Sequence, residues 1–427
     1  MRDSRLTSLW RHPDFLKLWA AQTTSVFGSQ ISVLAIPLVA AVTLESSAAD
    51  MGILAALSTV PYLLLALVAG VWVDRLRRRP ILVAADLGRA FLLLLVPAAA
   101  LLDVLRIEML YAIAFLVGLL SLFFDVAYQS FLPSLIGRDR LTEGNSKLQV
   151  SQSTALVAGP GLAGVLVQIV AAPAAILVDA FSFLISAYFL GLIRASESRP
   201  LPQPERRGML GEIAEGIRAI RNHSVLRALT VVTGTWNLFA NMLTAMFVLY
   251  LVRDLAIGPG LLGVIFAGSG VGFLLGAVLA NRTAEHFSIG TIIIGAAVIG
   301  SLATVAIPLA SGPTWLVVSI LTAAGVVRGL ALMHFDINVL TMRQTLTPDH
   351  LLGRVTATTR LAVRGVAPIG ALIGGVLGEL IGLRATLLVA AVGRLLSILW
   401  LWYSPLNTIT QRHGVSGSRE EAHVLMG

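Results

Sequence analysis

Gly70-Val-Trp-Val-Asp74-Arg75-Leu-Arg77-Arg78-Arg79 is a basic break between two long apolar stretches. The stretch before it runs from Met51 to Val73 and the stretch after it from Ile81 to Leu102. Each could cross a bilayer as a helix, which takes about 20 residues. Only 13% of the 427 residues are charged and 56% are apolar, whereas soluble domains carry about 25% charged residues. This pattern predicts an all-α membrane protein.

The alternation of apolar stretch and polar break continues along the chain and predicts twelve spans. They cover about 15–42, 51–73, 81–102, 109–132, 148–170, 174–193, 226–252, 261–280, 289–310, 315–339, 361–381 and 385–403. The predicted organisation is an N-terminus (1–14), a six-helix bundle (15–193), a linker (194–224), a second six-helix bundle (225–404) and a tail (405–427).

Basic residues in the breaks predict the orientation, because cytoplasmic loops retain Lys and Arg. Most of the 31 Lys and Arg residues fall on one face, whereas the opposite face has only Arg106, Arg253 and Arg384. We therefore expect a multi-pass protein of the cell membrane with both termini in the cytoplasm. The net charge of +8 is interpreted as this topology signal, and no nucleic-acid partner is expected.

The linker begins with a polar, proline-containing segment and continues with an amphipathic pattern. Met209, Ile213, Ile217 and Ile220 recur every three to four residues. This spacing favours a helix on the cytoplasmic membrane surface that tethers the two bundles. The alternative is a solvated linker with incidental periodicity.

Several chemistries are excluded by what the sequence lacks. The chain has no cysteine, so disulfides and thiolate chemistry are absent. It also lacks the HExxH, GxxxxGK[ST] and GxSxG motifs of zinc hydrolases, P-loop NTPases and serine hydrolases. We therefore expect a protein that is not an enzyme, with no catalytic residues, metal site or cofactor.

Landmarks in the two bundles recur at an offset of about 210 residues, which indicates an internal duplication. The pairs are Lys17 and Arg227, Gly52 and Gly263, Asp74-Arg75 and Asn281-Arg282, Phe124-Asp125 and Phe335-Asp336, Asp139 and Asp349, and Gly159-Pro160 and Ala367-Pro368. His12 and His223 precede the first landmark of each half. Two parallel halves with a substrate site between them are typical of alternating-access transporters.

The break at 70–79 resembles the signature loop of the major facilitator superfamily, Gly-x-x-x-Asp-Arg-x-Gly-Arg-[Arg/Lys]. Arg77 stands where that pattern has glycine. The resemblance covers nearly the whole chain and implies that superfamily's fold, with two pseudo-symmetric six-helix bundles and usually a monomer.

The resemblance also implies a cytoplasmic gate that is locked while the transporter is open outward. The gate residues carried over by position are Gly70, Asp74, Arg75, Arg78 and Asp125. Asp74 would face the positive end of a neighbouring helix, and Arg78 would pair with Asp125. In the alternative interpretation the basic run only sets the topology, which leaves Asp74 and Asp125 unexplained.

In the fifth span, Ala158-Gly159-Pro160-Gly161-Leu-Ala163-Gly164 resembles the Gly-Pro-x-x-Gly-Gly motif of exporters in the superfamily. Gly159, Pro160 and Gly164 are the matching positions, and Ala163 departs from the pattern. Small residues allow close helix contact and proline bends the span. Together with segments 11–19 and 84–90, this motif resembles the branch of macrolide and siderophore exporters, and it favours efflux over uptake.

Charged and polar residues within spans are candidates for the transport site. Asp179 is the candidate for proton coupling, because desolvation disfavours the charged form of a carboxyl, although a structural hydrogen-bond anchor is equally compatible. Asp86 and Arg89 are expected to pair with each other. The candidate cavity residues are Gln22, Gln30, Tyr128, Asn237, Asn241, Arg328 and His334. Interhelical hydrogen bonding is the structural alternative for each of them.

The sequence thus favours a secondary transporter that exports a drug-like or siderophore-like small molecule against an inward proton gradient. The alternatives are uptake of a small solute by the same fold, and a membrane protein that senses or scaffolds without transport. The expected partners are the substrate and the lipid bilayer.

Overall fold

The computed structural model describes residues 8–194 and 209–402, and these residues form helices and no strands. The helices are α1 (Pro13–Leu38, extended by a π-helical turn to Thr43), α2 (Ala48–Arg75), α3 (Arg78–Leu101), α4 (Ile107–Ile136), α5 (Leu141–Val170), α6 (Ala172–Gly191), α7 (Met209–Asn222), α8 (Ser224–Arg253), α9 (Pro259–His286), α10 (Ile289–Leu309), α11 (Thr314–Leu346), α12 (Asp349–Ile381), α13 (Leu383–Leu396) and α14 (Leu399–Trp402). The predicted tail and the proline-containing start of the linker lie outside the described residues.

Twelve helices of the described chain are long and apolar enough to cross a membrane, which confirms the predicted number of spans. Several begin earlier than their apolar stretch. α5 starts at Leu141 and α12 at Asp349, seven and twelve residues ahead of the predicted starts. Helical hydrogen bonding continues through these polar turns, because a helix end outside the apolar layer can be solvated.

Side-chain caps fix where the first helix of each half begins. The Nδ1 atom of His12 accepts a hydrogen bond from the backbone N–H of Phe15 at 3.1 Å, and Nδ1 of His223 accepts one from Leu226 at 3.5 Å. Each histidine therefore satisfies one of the N–H groups that have no partner within the helix. The two histidines precede equivalent helices, so the duplication extends to the capping residues.

The same helix pairs pack together in both halves. In the N-terminal half (α1–α6), α1 packs against α5 and α6, α2 against α4, and α3 against α4 and α6. In the C-terminal half (α8–α14), α8 packs against α12 and α13, α9 against α11, and α10 against α11 and α13. Each C-terminal pair is the counterpart of an N-terminal pair, as expected of two pseudo-symmetric six-helix bundles.

The two halves contact each other mainly through α2 with α12 and through α5 with α9. We call the end of the molecule that carries Arg75–Arg79 and α7 the basic end, and the other the opposite end. Buried apolar residues of both halves, among them Leu54, Phe183, Tyr250 and Leu262, form one continuous cluster toward the opposite end. Toward the basic end, Phe15 and Phe131 belong to a cluster of the N-terminal half only, and the C-terminal half has its own separate cluster.

The amphipathic helix predicted in the linker is present as α7, and it docks on the C-terminal half. Glu215 forms an ion pair with Arg354 of α12 at 2.8 Å. Gly216 is packed against the same helix: a Cβ atom there would lie 2.8 Å from the Arg354 carbonyl oxygen and 2.2 Å from Oγ1 of Thr358. Ile217 remains 51% exposed. One face of this helix therefore packs on α12.

Candidate functional site

The candidate site is a cleft between the halves, closed at the opposite end by two glycine crossings. A Cβ atom on Gly52 of α2 would lie 2.7 Å from the Cα of Gly375 on α12. A Cβ atom on Gly164 of α5 would lie 2.7 Å from the Cα of Gly263 on α9. Backbones approach this closely only where both residues lack a side chain.

These crossings are equivalent under the duplication. Gly52 and Gly263 are 211 residues apart in the sequence, and so are Gly164 and Gly375. Gly52 therefore contacts the counterpart of Gly164, and Gly164 contacts the counterpart of Gly52. A pseudo-two-fold axis between the halves relates the two contacts, as expected of parallel repeats.

A hydrogen bond adds to the closure of the opposite end. The guanidinium group of Arg253, at the end of α8, donates to the backbone carbonyl of Ser46 in the N-terminal half at 2.5 Å. Nearer the basic end, a Cβ atom on Gly70 of α2 or on Gly353 of α12 would meet no atom within 4 Å. Since the apolar clusters of the two halves are also separate toward this end, the described residues indicate a cleft that opens toward the basic end.

At the predicted gate, Asp125 has a partner other than the one expected. Its Oδ2 atom accepts a hydrogen bond from the hydroxyl of Tyr62 on α2 at 2.8 Å. Arg364 of α12 places its Cζ atom 5.3 Å from the centroid of the Tyr62 ring. No ion pair joins Arg78 to Asp125 in this conformation. The role of these residues as a cytoplasmic gate stays a prediction.

The arginine that follows the gate residues in the same loop helps hold the N-terminal half together. Arg75 is exposed and Gly70 half-buried, while the side chain of Asp74 is not among those described. The neighbouring Arg79 donates hydrogen bonds to the carbonyls of Leu190, at 3.0 Å, and Gly191. A guanidinium at the C-terminus of α6 is well placed, because the carbonyls there lack helical partners and carry partial negative charge.

The exporter-type motif lies in α5 at two helix contacts. Gly159 packs against Gln30 of α1, whose Cβ would be 2.5 Å from a Cβ at position 159. The carbonyl of Pro160 faces Gly263 of α9, and Gly164 forms the crossing with the same residue. Gln30, predicted to line the cavity, is therefore placed at the contact between α1 and α5.

The remaining polar candidates are placed at different depths. His334 is 6% exposed and its Nε2 lies 3.0 Å from Oγ1 of Thr283 on α9, a hydrogen bond between α11 and α9. Its role in the cavity stays a prediction. The amides of Asn237 and Asn241 donate to carbonyls one turn earlier in α8, and both residues are half-buried. Gln22 of α1 is within reach of the hydroxyl of Tyr128 on α4.

Asp179 lies in the contact between α1 and α6, away from the cleft. It is 2% exposed, its Oδ1 accepts a hydrogen bond from Ser182 at 3.1 Å, and it packs against Gly28 of α1. This environment suits a structural hydrogen-bond anchor, the alternative that the sequence also allowed for Asp179. Its role in proton coupling stays a prediction.

The sequence predicted only part of the environment of Arg89, a buried cation in the N-terminal half. Arg89 pairs with Asp86, as predicted. Its guanidinium group also lies between two rings, with Cζ 4.4 Å from the centroid of Phe124 and 4.1 Å from that of Phe183. The rings come from α4 and α6, so sequence spacing could not reveal them. Stacking on aromatic faces helps stabilise a desolvated guanidinium.

Twelve membrane-spanning helices, a pseudo-symmetric repeat and a cleft between the halves are typical of transporters of the alternating-access class. Comparison with known proteins identifies the family. Residues 5–424 match the family described as "Transmembrane secretion effector". The chain belongs to this family of the major facilitator superfamily. It is accordingly a multi-pass membrane transporter and not an enzyme.

Relatives extend over most of the chain. It is 28% identical to the multidrug efflux pump Tap of Mycolicibacterium fortuitum over 405 residues, covering 92% of this chain and 95% of that protein. It is also 28% identical to an uncharacterised MFS-type transporter of Bacillus subtilis over 385 residues, covering 88% of this chain and 89% of that protein. Macrolide efflux protein A of Streptococcus pyogenes matches at 26% identity over 228 residues, 53% of this chain and 56% of that protein.

Solved structures share the fold at low sequence identity. A bacterial homologue of the iron transporter ferroportin, in an inward-facing state, superposes with a TM-score of 0.75 at 16% identity, covering 95% of this chain and 100% of that one. The nucleoside transporter NupG superposes with a TM-score of 0.72 at 12% identity, covering 94% of this chain and 99% of that one. These similarities concern the fold alone.

Proposed function

We propose that this protein is a proton-coupled exporter that moves a drug-like or siderophore-like small molecule out of the cell by alternating access. The observation that carries the proposal is the asymmetric contact between the halves. They are joined at the opposite end by the two glycine crossings and one apolar cluster, and they have separate clusters toward the basic end. A rigid-body rotation of one half against the other that separates the crossings would open this end and close the basic end.

The direction of the opening follows from the orientation that we propose. With the basic end in the cytoplasm of the cell membrane, the cleft faces inward, as in the inward-facing homologue of ferroportin. An exporter must load its substrate in this state. Efflux is further supported by the position of the exporter-type motif at the crossing of Gly164 and Gly263, and by the two relatives named as efflux pumps. We propose a monomer, since one chain supplies both halves of the cleft.

For proton coupling, Asp125 is a second candidate beside Asp179. It lies on α4 and bonds to Tyr62, whose ring is approached by Arg364 from the other half. A proton on Asp125 would remove the attraction between this carboxylate and the cations of α12. Binding a proton would therefore alter the force between the halves, which is what coupling requires.

Export is tested in inside-out vesicles from cells with and without the protein. An imposed pH gradient that makes the vesicle lumen acidic is equivalent to the cellular gradient and drives the assay. We expect accumulation of fluorescent drug substrates that ends when an uncoupler dissipates the gradient. The variant Asp125→Asn is expected to lose gradient-driven accumulation while retaining substrate counterflow, and Glu285→Gln, an exposed carboxyl at the basic end, serves as the matched control.

Three outcomes would contradict the proposal. Accumulation that persists without any ion gradient would exclude proton coupling. Counterflow only in right-side-out vesicles would instead favour solute uptake, and no flux of any compound together with altered binding of a membrane partner would favour a sensor or scaffold.

A further inference from the structure

Arg328 is a cation within the C-terminal half that has no acidic partner among the side chains that the structure describes. It lies on α11, and its best polar contact is a long one, 3.5 Å from Nη2 to Oγ of Ser269 on α9. Its Cζ atom is 5.9 Å from the centroid of the Phe247 ring on α8. A guanidinium has five N–H donors, so most of its capacity is unused by described protein groups.

A buried guanidinium nearby makes the excess of positive charge larger. Arg394 of α13 is 4% exposed, and its Cζ atom lies 4.3 Å above the ring of Trp236. Its Nε has no hydrogen-bond partner, and it is near enough to Arg328 for the two charges to repel each other. Arg89 in the N-terminal half, by contrast, is neutralised by Asp86.

Such an excess of positive charge inside a membrane protein is costly unless an anion offsets it. An unpaired charge in an apolar environment costs several kcal/mol. Within the described chain, the carboxylates of the C-terminal half do not supply the counter-charge to Arg328. The offsetting anion is therefore expected to come from outside the chain for at least part of the transport cycle.

The position of Arg328 indicates how such an anion would reach it. Ser269 adjoins Gly270, whose Cβ position is 2.5 Å from the carbonyl oxygen of Leu156 on α5, so this level of α9 borders the interface between the halves. The rings of Phe247 and Phe266, with centroids 5.5 Å apart, belong to the apolar cluster that closes the opposite end. Arg328 is half-buried and lies beside this closed end of the cleft.

We propose that Arg328 binds the acidic group of an amphipathic organic anion at the closed end of the cleft. Its guanidinium donates to a carboxylate, sulfonate or phosphate oxygen, the Ser269 hydroxyl adds a second donor, and Phe247 and Phe266 contact the apolar body of the ligand. Arg394 adds to the positive potential from behind. This assignment deepens the proposed function and rests on it, since it names the substrate class of the same cleft.

The test uses two fluorescent probes that differ in charge. 1-Anilinonaphthalene-8-sulfonate is an amphipathic anion, and N-phenyl-1-naphthylamine has the same aromatic skeleton without the sulfonate. Binding of both to the full-length protein in lipid nanodiscs is measured against empty nanodiscs. For Arg328→Gln we expect the Kd of the sulfonate to rise about tenfold or more, since a charged hydrogen bond is lost. The Kd of the neutral probe should change less than about twofold, and Arg328→Lys should restore part of the sulfonate affinity.

The matched control is Arg343→Gln, which removes an arginine from the same helix four turns nearer the basic end, and both probes should bind to it as to the parent protein. Thermal unfolding of each variant shows whether it is folded. Equal loss of both probes in a folded Arg328→Gln variant, or no loss of either, would overturn the proposal. A double variant that lacks both Arg328 and Asp125 gives a further test. If it binds the sulfonate as the parent protein does, the proposal is also overturned, because Arg328 would then serve an ion pair within the protein and not the ligand.

Failure of the transport proposal gives a different result. If no vesicle assay detects flux but the sulfonate still depends on Arg328, the anion site stands and the exporter does not. If export occurs and is indifferent to the charge of the compound and to Arg328→Gln, the exporter stands and the anion site is refuted.

Discussion

The glycine crossings predict that one added methyl group will shift the equilibrium between the two ends of the cleft. In Gly164→Ala the new Cβ would lie 2.7 Å from the Cα of Gly263 and 2.8 Å from the carbonyl oxygen of Pro259. Carbon atoms pack at about 3.5–4.0 Å, so α5 and α9 must separate by roughly 1 Å. Gly161→Ala is the matched control, because a Cβ there meets no atom within 4 Å.

The magnitude follows from the cost of overpacking, about 1–3 kcal/mol for a forced shift of well-packed groups. This cost falls on the state in which the opposite end is closed, because the crossing exists only where the helices touch. The population ratio of the two states should therefore change by about 5- to 150-fold toward the state open at the opposite end. Gly52→Ala should act in the same direction through the other crossing, where the Cβ would be 2.7 Å from both the Ala371 carbonyl oxygen and the Cα of Gly375.

The assay is electron spin resonance distance measurement between pairs of spin labels. Labelling needs no cysteine removal, because the chain contains none. Leu102 and Trp315, 72% and 71% exposed, report on the opposite end, and Leu76 and Thr345 on the basic end. We expect longer distances at the opposite end and shorter ones at the basic end in Gly164→Ala. Unchanged distributions in a folded variant, or an equal change in Gly161→Ala, would refute the reasoning.

Three further predictions concern other contacts. Asp86→Asn leaves a guanidinium buried without its charge partner, and should lower the free energy of unfolding by about 3–5 kcal/mol, measured by denaturation in mixed detergent micelles. Gly216→Val places a side chain against the Arg354 carbonyl, and should undock α7 and make the linker cleavable by added protease. Arg253→Gln removes the hydrogen bond to Ser46, and should favour opening at the opposite end by about tenfold or less, read from the same spin-label pair.

Controls for these variants come from exposed positions. Glu108→Gln, an exposed carboxyl in the first turn of α4, should change the unfolding free energy by less than about 0.5 kcal/mol. Gly211→Val has no atom within 4 Å of its Cβ position, so it should leave α7 docked. Equal cleavage of the two linker variants, or a stability of Asp86→Asn within error of the parent, would contradict the contacts described here.

The local elements of the fold could be predicted from the sequence because each depends on short-range composition. A span is recognised from about 20 apolar residues. The duplication is recognised from landmarks such as Gly52 and Gly263, which lie 211 residues apart. The pairing of Asp86 with Arg89 follows from their spacing of three residues on one helix, and the structure confirms it.

The candidate site was less predictable, because its members come from different helices. The interaction of Asp125 with Tyr62 joins α4 to α2, and the rings around Arg89 come from α4 and α6. His334 and Gln30, which looked like cavity residues, are used in helix packing. A polar residue in a span gives the same sequence pattern whether it lines a cavity or packs between helices. Which of the two occurs depends on how its helix is rotated about its axis.

The sequence by itself determined the membrane class, the number of spans, the duplication and the family-type loop, because hydrophobicity and charge act locally along a chain. Only the tertiary structure decided which glycines cross, that the halves meet at the opposite end, and that Arg328 has no acidic partner among the described side chains. These features depend on contacts between helices some 100–320 residues apart in the chain, such as Gly52 with Gly375 and Gly164 with Gly263. Their geometry is set by packing across two bundles, which no single segment encodes.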